Sequence, residues 1–217
     1  DCNRNACLIM ALYEGGLRNG ELCNIKLEDV KYDDGEYYIT VNGKTGKRTL
    51  LFKDSVPYLD KLLNEHPHRS NKQAPLFYDL KRRYKGLGIQ AVYHIIKKVS
   101  NWSQVSQNKK VWPHLLRHSR AWHLVKYNNF NERDLRLFFG WSSTSDMPNH
   151  YLHYDEGAVY DKIRGRPKKK EEDLRKKTRL NPSQCSSCFK FSPATNTACE
   201  YCKIPFENQK RQMAEEA

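Results

Sequence analysis

The chain has 217 residues and a mass of 25.6 kDa, enough for one domain with an appendage or for two domains. No stretch approaches the roughly 18 apolar residues that a membrane span needs, and the first residues do not resemble a signal or transit peptide. The formal net charge of +13 favours a polyanionic partner, and more than half of it lies in residues 162–179, which hold ten basic and three acidic residues.

The start of the chain and its cysteines indicate its origin and compartment. The sequence begins with Asp1 and not with methionine, so we expect a fragment of a longer protein. Its seven cysteines form a scattered group near the start and a regular group of four near the end. The odd total and the regular spacing are typical of thiols in a reducing compartment, and we expect a cytoplasmic, DNA-associated protein.

Apolar periodicity divides the chain into helices and one β-hairpin. It predicts helices at residues 3–14, 54–64, 88–102, 114–127, 131–139 and 156–163. Alternation in residues 36–41, a turn rich in glycine and lysine, and the run 48–52 predict an antiparallel hairpin. The predicted fold class is α+β, mainly α-helical with a small antiparallel sheet.

Several charged side chains lie at the ends of these predicted elements or on one helix face, from which they could point into a cleft. Arg18 follows a glycine at the start of a short helical pattern, and Lys44 lies near the tip of the hairpin. His114, Arg117 and His118 recur at helical spacing and therefore share one face of their helix.

These residues occur in a distinctive order: Gly-Leu-Arg-x-x-Glu-Leu, a lysine on a hairpin, His-x-x-Arg-His, Gly-Trp and then tyrosine. In this order residues 3–163 resemble the catalytic domain of tyrosine recombinases, the phage-integrase class of site-specific DNA recombinases. Five separated elements carry the resemblance. It implies the fold of that domain, and it implies double-stranded DNA as the partner, usually bound by a homotetramer.

The resemblance assigns roles residue by residue. Arg18 matches the first catalytic arginine, Glu21 the acid after it, and Lys44 the hairpin lysine. His114 and Arg117 match the His-x-x-Arg box. Glu21 is expected to orient either Arg18 or His114.

The last part of the motif holds the nucleophile. Trp141 takes the position after glycine that is histidine in many members, and Tyr151 matches the nucleophilic tyrosine. The stretch between them is one residue longer than the common pattern and lacks its threonines, so Tyr154 remains the alternative nucleophile. His118 and His123 are expected to be structural.

Each residue type suits the cleavage of a phosphodiester. Two arginines fork onto the non-bridging oxygens, stabilise the transition-state charge and stay protonated. The tyrosine forms a 3′-phosphotyrosine, the lysine protonates the leaving oxygen, and His114 accepts a proton from tyrosine or hydrogen-bonds the phosphate. Trp141 offers an N–H donor and packing surface. The arginines provide the charge that a metal supplies elsewhere, so no catalytic cofactor is expected.

Two other functions stay open at this stage. A type IB topoisomerase uses a similar residue set to relax supercoiled DNA. A non-catalytic DNA-binding module would use the arginines only to grip phosphates. The resemblance also implies a helical core-binding domain ahead of the catalytic one, which we expect to be missing from this chain.

A basic linker, residues 164–182, follows the predicted catalytic domain of residues 1–163. Its Arg-Gly-Arg-Pro sequence resembles an AT-hook, whose arginines lie in the narrow minor groove of A·T-rich DNA. The alternative is a linker that touches only phosphates. The residues expected to contact DNA are Arg164, Arg166, Lys168, Lys169 and Lys170.

Two Cys-x-x-Cys pairs separated by ten residues predict a structural Zn²⁺ site in residues 183–207. Its ligands are Cys185, Cys188, Cys199 and Cys202. The segment resembles a zinc ribbon, although Phe189 and Lys203 stand where glycine is often found. It has too little core to fold alone, so we expect a chelator to unfold it and to leave the catalytic domain folded. Such a tail is a pattern of archaeal, viral or plasmid enzymes, and residues 208–217 form a polar end.

Overall fold

The computed structural model describes residues 2–107, 109–152, 160, 163–164 and 182–206. The α-helices in these ranges are α1 (Cys2–Glu14), α2 (Asn19–Cys23), α3 (Val56–Asn64), α4 (Ile89–Trp102), α5 (Pro113–Asn128) and α6 (Glu132–Phe139). The strands are β1 (Val30–Asp33), β2 (Glu36–Gly43), β3 (Gly46–Phe52), β4 (Tyr78–Asp79), β5 (Lys85–Gly86), β6 (Ser183–Gln184) and β7 (Phe191–Ser192). The first three strands form one antiparallel sheet, and the other four pair in twos.

The predicted α+β class is confirmed, and the structure adds one strand to the predicted hairpin. β1 pairs antiparallel with β2, but three of its four residues are exposed, so its sequence shows no apolar alternation. The helix predicted at residues 156–163 lies outside the described residues except for Tyr160 and Ile163. None of the described helices is long and apolar enough to cross a membrane.

The hairpin holds its tip at a defined place because its inner face is buried. β2 and β3 pair as far as Gly43 and Gly46, which leaves Lys44 and Thr45 as the loop. The buried residues of the two strands include Ile39, Val41, Leu50 and Phe52. A slip of one residue would expose this whole set, so the register is fixed by burial.

A buried carboxylate ties α1 to the start of α3. Glu14 accepts hydrogen bonds from the backbone N–H groups of Lys53, Asp54 and Ser55 at 2.6–2.8 Å. Burial raises the pKa of Glu14, whereas these donors and the positive end of the α3 dipole stabilise the charged form. The contact fixes the connection between β3 and α3 on the main core.

α5 joins the main core to a smaller second core. Ala121 and Leu124 are buried there. The apolar pattern of the helix predicts Trp122 in the core as well, but 46% of this residue is exposed. The buried stripe runs through Arg117, Ala121 and Leu124 at helical spacing, and position 122 lies beside it. Trp122 packs instead under the ammonium of Lys126, which is 4.6 Å from its ring centroid.

Candidate active site

A cavity of about 370 Å³ lies between the hairpin tip, α5 and the segment after α6. It brings together side chains that are far apart in the sequence: Arg18, Lys44, His114, Arg117, Trp141 and Tyr151. Thr45 and His118 line it too. Cations, imidazoles and a phenol therefore share one space open to solvent.

Local structure positions each of these side chains. Arg18 precedes α2 with an extended backbone at φ −78° and ψ 151°. Pro113 begins α5, where a missing N–H leaves no helical bond unmade, so the next turn carries the histidines and Arg117. Tyr151 follows a 3₁₀ helix at Met147–His150.

Glu21 is the buried acid behind Arg18. Its carboxylate accepts hydrogen bonds from Arg18 Nη1 at 2.9 Å and from Arg48 Nη1 and Nη2 at 2.9 and 2.8 Å. Burial alone raises the pKa of Glu21, but hydrogen bonds from Arg48 and from the Arg18 backbone lower it to about 2. The sequence left Arg18 and His114 as partners for this acid, and the observed partner is Arg18.

Arg48 is a site residue that the sequence reasoning missed. It forks onto Glu21, and its Nε donates to the carbonyl of Phe138 at 2.9 Å. A signal was present, since Arg48 stands at the same two-residue period as the buried Leu50 and Phe52. A charged residue on the inward face of a strand needs a buried partner.

Arg117 is almost fully buried, with 3% of the residue exposed. Its Nη1 donates to the carbonyl of Gly16 at 2.5 Å and its Nη2 to that of Phe139 at 2.7 Å. Burial, and then the nearby Arg18, lower the pKa of Arg117 to about 9. The guanidinium is still cationic at neutral pH, and the two carbonyls fix its plane against the wall of the cavity.

The C-terminus of α6 gathers the donors of the site. Its last carbonyls have no partners within the helix. The carbonyl of Phe138 accepts a hydrogen bond from Arg48, and that of Phe139 accepts one from Arg117. The carbonyl of Gly140 accepts from both Arg18 (3.4 Å) and Thr45 (3.0 Å). Gly140 has φ +59°, and a Cβ there would lie 3.0 Å from Arg48 Nη1. The left-handed backbone therefore favours glycine at this position, and any side chain there would press on Arg48.

Tyr151 is held between an aromatic stack and a histidine. Its ring is parallel to that of Trp141 with centroids 5.8 Å apart, and Trp141 stacks in turn on Phe139 at 4.8 Å. The hydroxyl contacts Nδ1 of His118. Burial raises the pKa of Tyr151, and the charge of Arg117 opposes this, so the phenol is protonated at neutral pH.

His118 occupies a different place from the one expected. The sequence predicts a structural residue, but the ring lines the cavity and contacts Tyr151. His114 lies edge-on to it with centroids 4.5 Å apart. Burial lowers the pKa of both histidines. His123 accords with a structural role, since its Nδ1 bonds the hydroxyl of Tyr13 at 2.7 Å.

Several residues named from the sequence fall outside the described part of the chain. They are Tyr154, Arg166, Lys168, Lys169 and Lys170. Arg164 is described and exposed, with its guanidinium carbon 6.0 Å from the ring centroid of Tyr160.

A second candidate site is formed by Cys185, Cys188, Cys199 and Cys202. Their four Sγ atoms all lie within 4.8 Å of one another. The Sγ atoms of Cys185 and Cys202 are 3.5 Å apart, and so are those of Cys188 and Cys199. This distance is close to the roughly 3.8 Å edge of a tetrahedron with metal–sulfur bonds of about 2.3 Å. Backbone N–H groups of Cys188 and Ser187 lower the pKa of Cys185. The donor set fits a tetrahedral metal ion.

The two Cys-x-x-Cys pairs form equivalent turns, each ending in a left-handed residue. Phe189 has φ +58° and Lys203 has φ +62°. Their N–H groups donate to the carbonyls of Cys185 and Cys199 at 2.9 Å. The positions where glycine was expected thus have the backbone conformation that glycine favours, although other residues occupy them.

Phe189→Gly is expected to stabilise this cysteine-rich segment by about 1 kcal/mol, because glycine adopts a left-handed backbone without strain. Removing the phenylalanine side chain costs little packing energy, since 70% of Phe189 is exposed. Metal retention against increasing chelator, measured by a colorimetric indicator, should shift to higher chelator concentration. Phe189→Ala is the matched control and should show no such gain.

The cysteine-rich segment rests on the helical domain. Phe191 in β7 packs against the main core, and Lys61 of α3 forms an ion pair with Glu200. One partly buried phenylalanine and one ion pair form a modest interface.

Comparison with known proteins identifies residues 1–157 as matching the model of the Phage integrase family. The tyrosine recombinase XerA of Pyrococcus furiosus is 32% identical over 143 residues, which cover 65% of this chain and 48% of that protein. XerC of Caldanaerobacter subterraneus subsp. tengcongensis is 28% identical over 170 residues, covering 77% of this chain and 46% of that protein. The chain thus spans about half the length of these relatives.

Solved structures show the same fold. A crystal structure of XerA recombinase superposes with a TM-score of 0.60 at 23% identity, covering 77% of this chain and 58% of that one. A pre-cleavage complex of the site-specific recombinase XerH with its difH substrate also gives 0.60 at 23% identity, covering 74% and 46%. These likenesses support the fold assignment made from the sequence.

Proposed function

The chain belongs to the phage integrase family, and we propose on that basis that it is a tyrosine-type site-specific DNA recombinase. One observation carries the proposal. A single cavity holds a phenol, two arginines, a lysine from the exposed hairpin tip and two histidines, which together meet each need of phosphodiester cleavage.

The reaction has two transesterification steps. The Tyr151 oxygen forms a bond to phosphorus while the bond from phosphorus to the 5′ oxygen breaks, which gives a 3′-phosphotyrosine and a free 5′-hydroxyl. The 5′-hydroxyl of a second strand then attacks the phosphotyrosine and displaces the tyrosine. The number of phosphoester bonds is conserved, so ATP is not consumed.

The arginines stabilise the charge of the pentavalent transition state. Arg18 keeps 29% of its side chain exposed and can rotate donors toward a phosphate. Arg117 uses one donor from each Nη on backbone carbonyls, so its remaining N–H groups are already oriented. Together they supply the positive charge at the phosphate, and the proposal assigns no metal to the chemical step.

The other roles follow from position. Lys44 is exposed on the hairpin loop and donates a proton to the leaving 5′ oxygen. His114, also exposed, hydrogen-bonds the phosphate. Trp141 supports the Tyr151 ring by stacking, and its indole N–H is a further hydrogen-bond donor for the phosphate.

Duplex DNA is the partner in this proposal, bound by a homotetramer as recombination between two sites requires. The charge of +13 supports it, and a structural neighbour, XerH, has been solved with its difH substrate. The basic linker adds phosphate or minor-groove contacts through Arg164 and the lysines that follow it.

Covalent capture tests the proposal. A pool of duplexes with randomised sequence carries a nick a few nucleotides downstream of the tested phosphates, so that the released fragment diffuses away and the adduct is trapped. We expect a detergent-resistant adduct in which the protein is attached to the 3′ end of the broken strand, and sequencing of the trapped DNA defines the site.

Two outcomes would contradict the proposal. Absence of any adduct, with DNA binding retained, would indicate the non-catalytic module. An adduct with relaxation of supercoiled plasmids, but without strand exchange between two copies of the trapped site, would indicate a topoisomerase.

The four cysteines are proposed to hold a structural Zn²⁺, with residues 183–207 as a separate zinc-ribbon unit. Four thiolates fill a tetrahedral ion and leave no open position, so the metal would fix the two turns and take no part in DNA chemistry. Phe191 and the pair of Lys61 with Glu200 are its links to the catalytic unit of residues 1–163.

Chelation is expected to unfold only this unit. Removal of the metal should abolish the ordered signals of residues 183–206 in NMR, because the segment has too little core without it. The thermal midpoint of the catalytic unit should fall by only a few degrees, as the interface is small. Loss of the entire cooperative transition would contradict the division into two units. The variant Cys185→Ser should reproduce the chelated state.

A further inference from the structure

The Tyr151 hydroxyl has a defined neighbour, the second histidine of the His-x-x-Arg-His box. Nδ1 of His118 contacts the phenolic oxygen, and the two rings lie with centroids 5.7 Å apart. His118 is one helical turn after His114 on the same face of α5. The contact is between a reacting atom and a nitrogen that can bind a proton.

His114 is placed differently. It is exposed, lines the same cavity as Arg18, and meets His118 through a ring edge. The hydroxyl of Tyr151 contacts the ring of His118, whereas His114 is open to a phosphate that enters from solvent. The two histidines therefore separate into one that faces the substrate and one that faces the nucleophile.

We propose that His118, and not His114, accepts the proton of the Tyr151 hydroxyl as that oxygen attacks phosphorus. This inference rests on the proposed function. The proton moves from the phenolic oxygen to Nδ1 while the phosphorus–tyrosine bond forms, and Lys44 gives a proton to the departing 5′ oxygen. In the joining step His118 returns its proton to the departing phenolic oxygen, and Lys44 takes the proton of the attacking 5′-hydroxyl.

Burial and the charges around His118 favour its neutral ring, which can accept a proton. Burial lowers its pKa, as do the positive charge of Arg117 beneath it and His150 beyond it; His114 and Tyr151 are the other titratable groups in contact with the ring. The ring is therefore neutral at pH 7. Tyr151 is fully protonated at that pH, so it needs a base to become nucleophilic.

Single-turnover adduct formation on the trapped nicked site measures the effect. His118→Gln is expected to lower the rate by about 10²-fold or more, the usual contribution of a general base, with unchanged DNA affinity. His94→Gln is the matched control, since His94 is exposed on α4 and does not line the cavity. Thermal melting of both variants shows whether the fold is kept.

Three readouts distinguish a base from a residue that only positions the tyrosine. The wild-type rate should rise with pH through a pKa below the usual value of about 6.5, since the neutral ring is the active form. This rise of the rate with pH should vanish in His118→Gln and persist in His114→Gln. In His118→Ala, added imidazoles should restore the rate in proportion to their basicity.

A substrate with sulfur at the 5′ bridging position gives the third readout. A thiol has a pKa of about 8.5 and leaves without a proton. This substrate should restore a Lys44→Ala variant but not His118→Gln, because the lysine acts on the leaving group and the histidine on the nucleophile.

The outcomes separate the inference from the function beneath it. If wild-type protein forms the adduct and His118→Gln matches its rate, or if the sulfur substrate restores that variant, His118 is not the base and the inference is overturned. If wild-type protein forms no adduct on any duplex, the proposed function fails, and the inference fails with it.

Discussion

Replacing Tyr151 by phenylalanine will abolish covalent attachment to DNA and leave the fold and DNA affinity near their wild-type values. The substitution removes one oxygen, the atom proposed to bond phosphorus. The ring keeps its parallel stack on Trp141 and loses only the contact with His118. One lost hydrogen bond costs about 1 kcal/mol, which a folded domain of this size tolerates.

Tyr154→Phe is the control that decides between the two candidate nucleophiles. It removes the same atom three residues further along and is expected to retain adduct formation. Detergent gels after incubation with nicked DNA, and filter binding for affinity, measure both variants. Retention of the adduct in Tyr151→Phe together with its loss in Tyr154→Phe would transfer the nucleophilic role to Tyr154.

Glu21→Ala is expected to be the most destabilising single change near the site. It leaves the guanidinium of Arg48, and that of Arg117 beyond it, without their shared counter-ion in a region where all three side chains are nearly buried. Removing one partner of a buried ion pair costs about 3–5 kcal/mol, which lowers the melting temperature by roughly 10 °C. Arg18 also loses its anchor, so the cleavage rate should fall in the fraction that remains folded.

Chemical denaturation of two further variants tests the cause. Glu28→Ala removes an exposed acid that does not line the cavity and should change the free energy of unfolding by less than about 0.5 kcal/mol. The double variant Glu21→Ala, Arg48→Ala should lose less than the sum of the single losses, since no unpaired Arg48 remains. Strict additivity would mean that the ion pair is not the source of the effect.

The same pair predicts an acid dependence of stability. The pKa of Glu21 is about 2 in the folded protein, below the value of about 4.3 for an unperturbed glutamate. Because the pKa of Glu21 is lower in the folded protein than in the unfolded chain, its charge stabilises the fold fully at pH values above the unfolded pKa. That stabilisation is lost as the pH falls toward 2. In Glu21→Gln, the part of the acid transition between these two values should disappear.

Much of the site could be predicted because its residues stand in elements that the sequence marks clearly. Lys44 lies between Gly43 and Gly46 in a turn that separates two strand-like runs, so the hairpin tip followed directly from the pattern. Arg18 and Arg117 were placed by glycine and proline at the ends of their helices. All three side chains line the cavity, as expected. Their chemical roles stay predictions.

The rest depended on partners that are distant in the chain. The two-residue period of β3 places Arg48 on the inward face, but it does not identify Glu21 as the partner of its charge. Trp122 is apolar but lies off the buried stripe of α5, and the pattern does not specify how wide that stripe is. His118 shares the face of His114, yet only the folded position of the segment after α6 shows that it contacts Tyr151.

The junction at the end of α6 couples the proposed active site to the integrity of the fold. Residues from the α1–α2 turn, the hairpin and α5 all reach the same three carbonyls. Two of the proposed catalytic residues, Arg18 and Arg117, thus also hold parts of the domain together. We therefore expect the proposed cleavage activity to be lost together with the folded structure of the domain, because the cluster of cations forms only when these elements are joined.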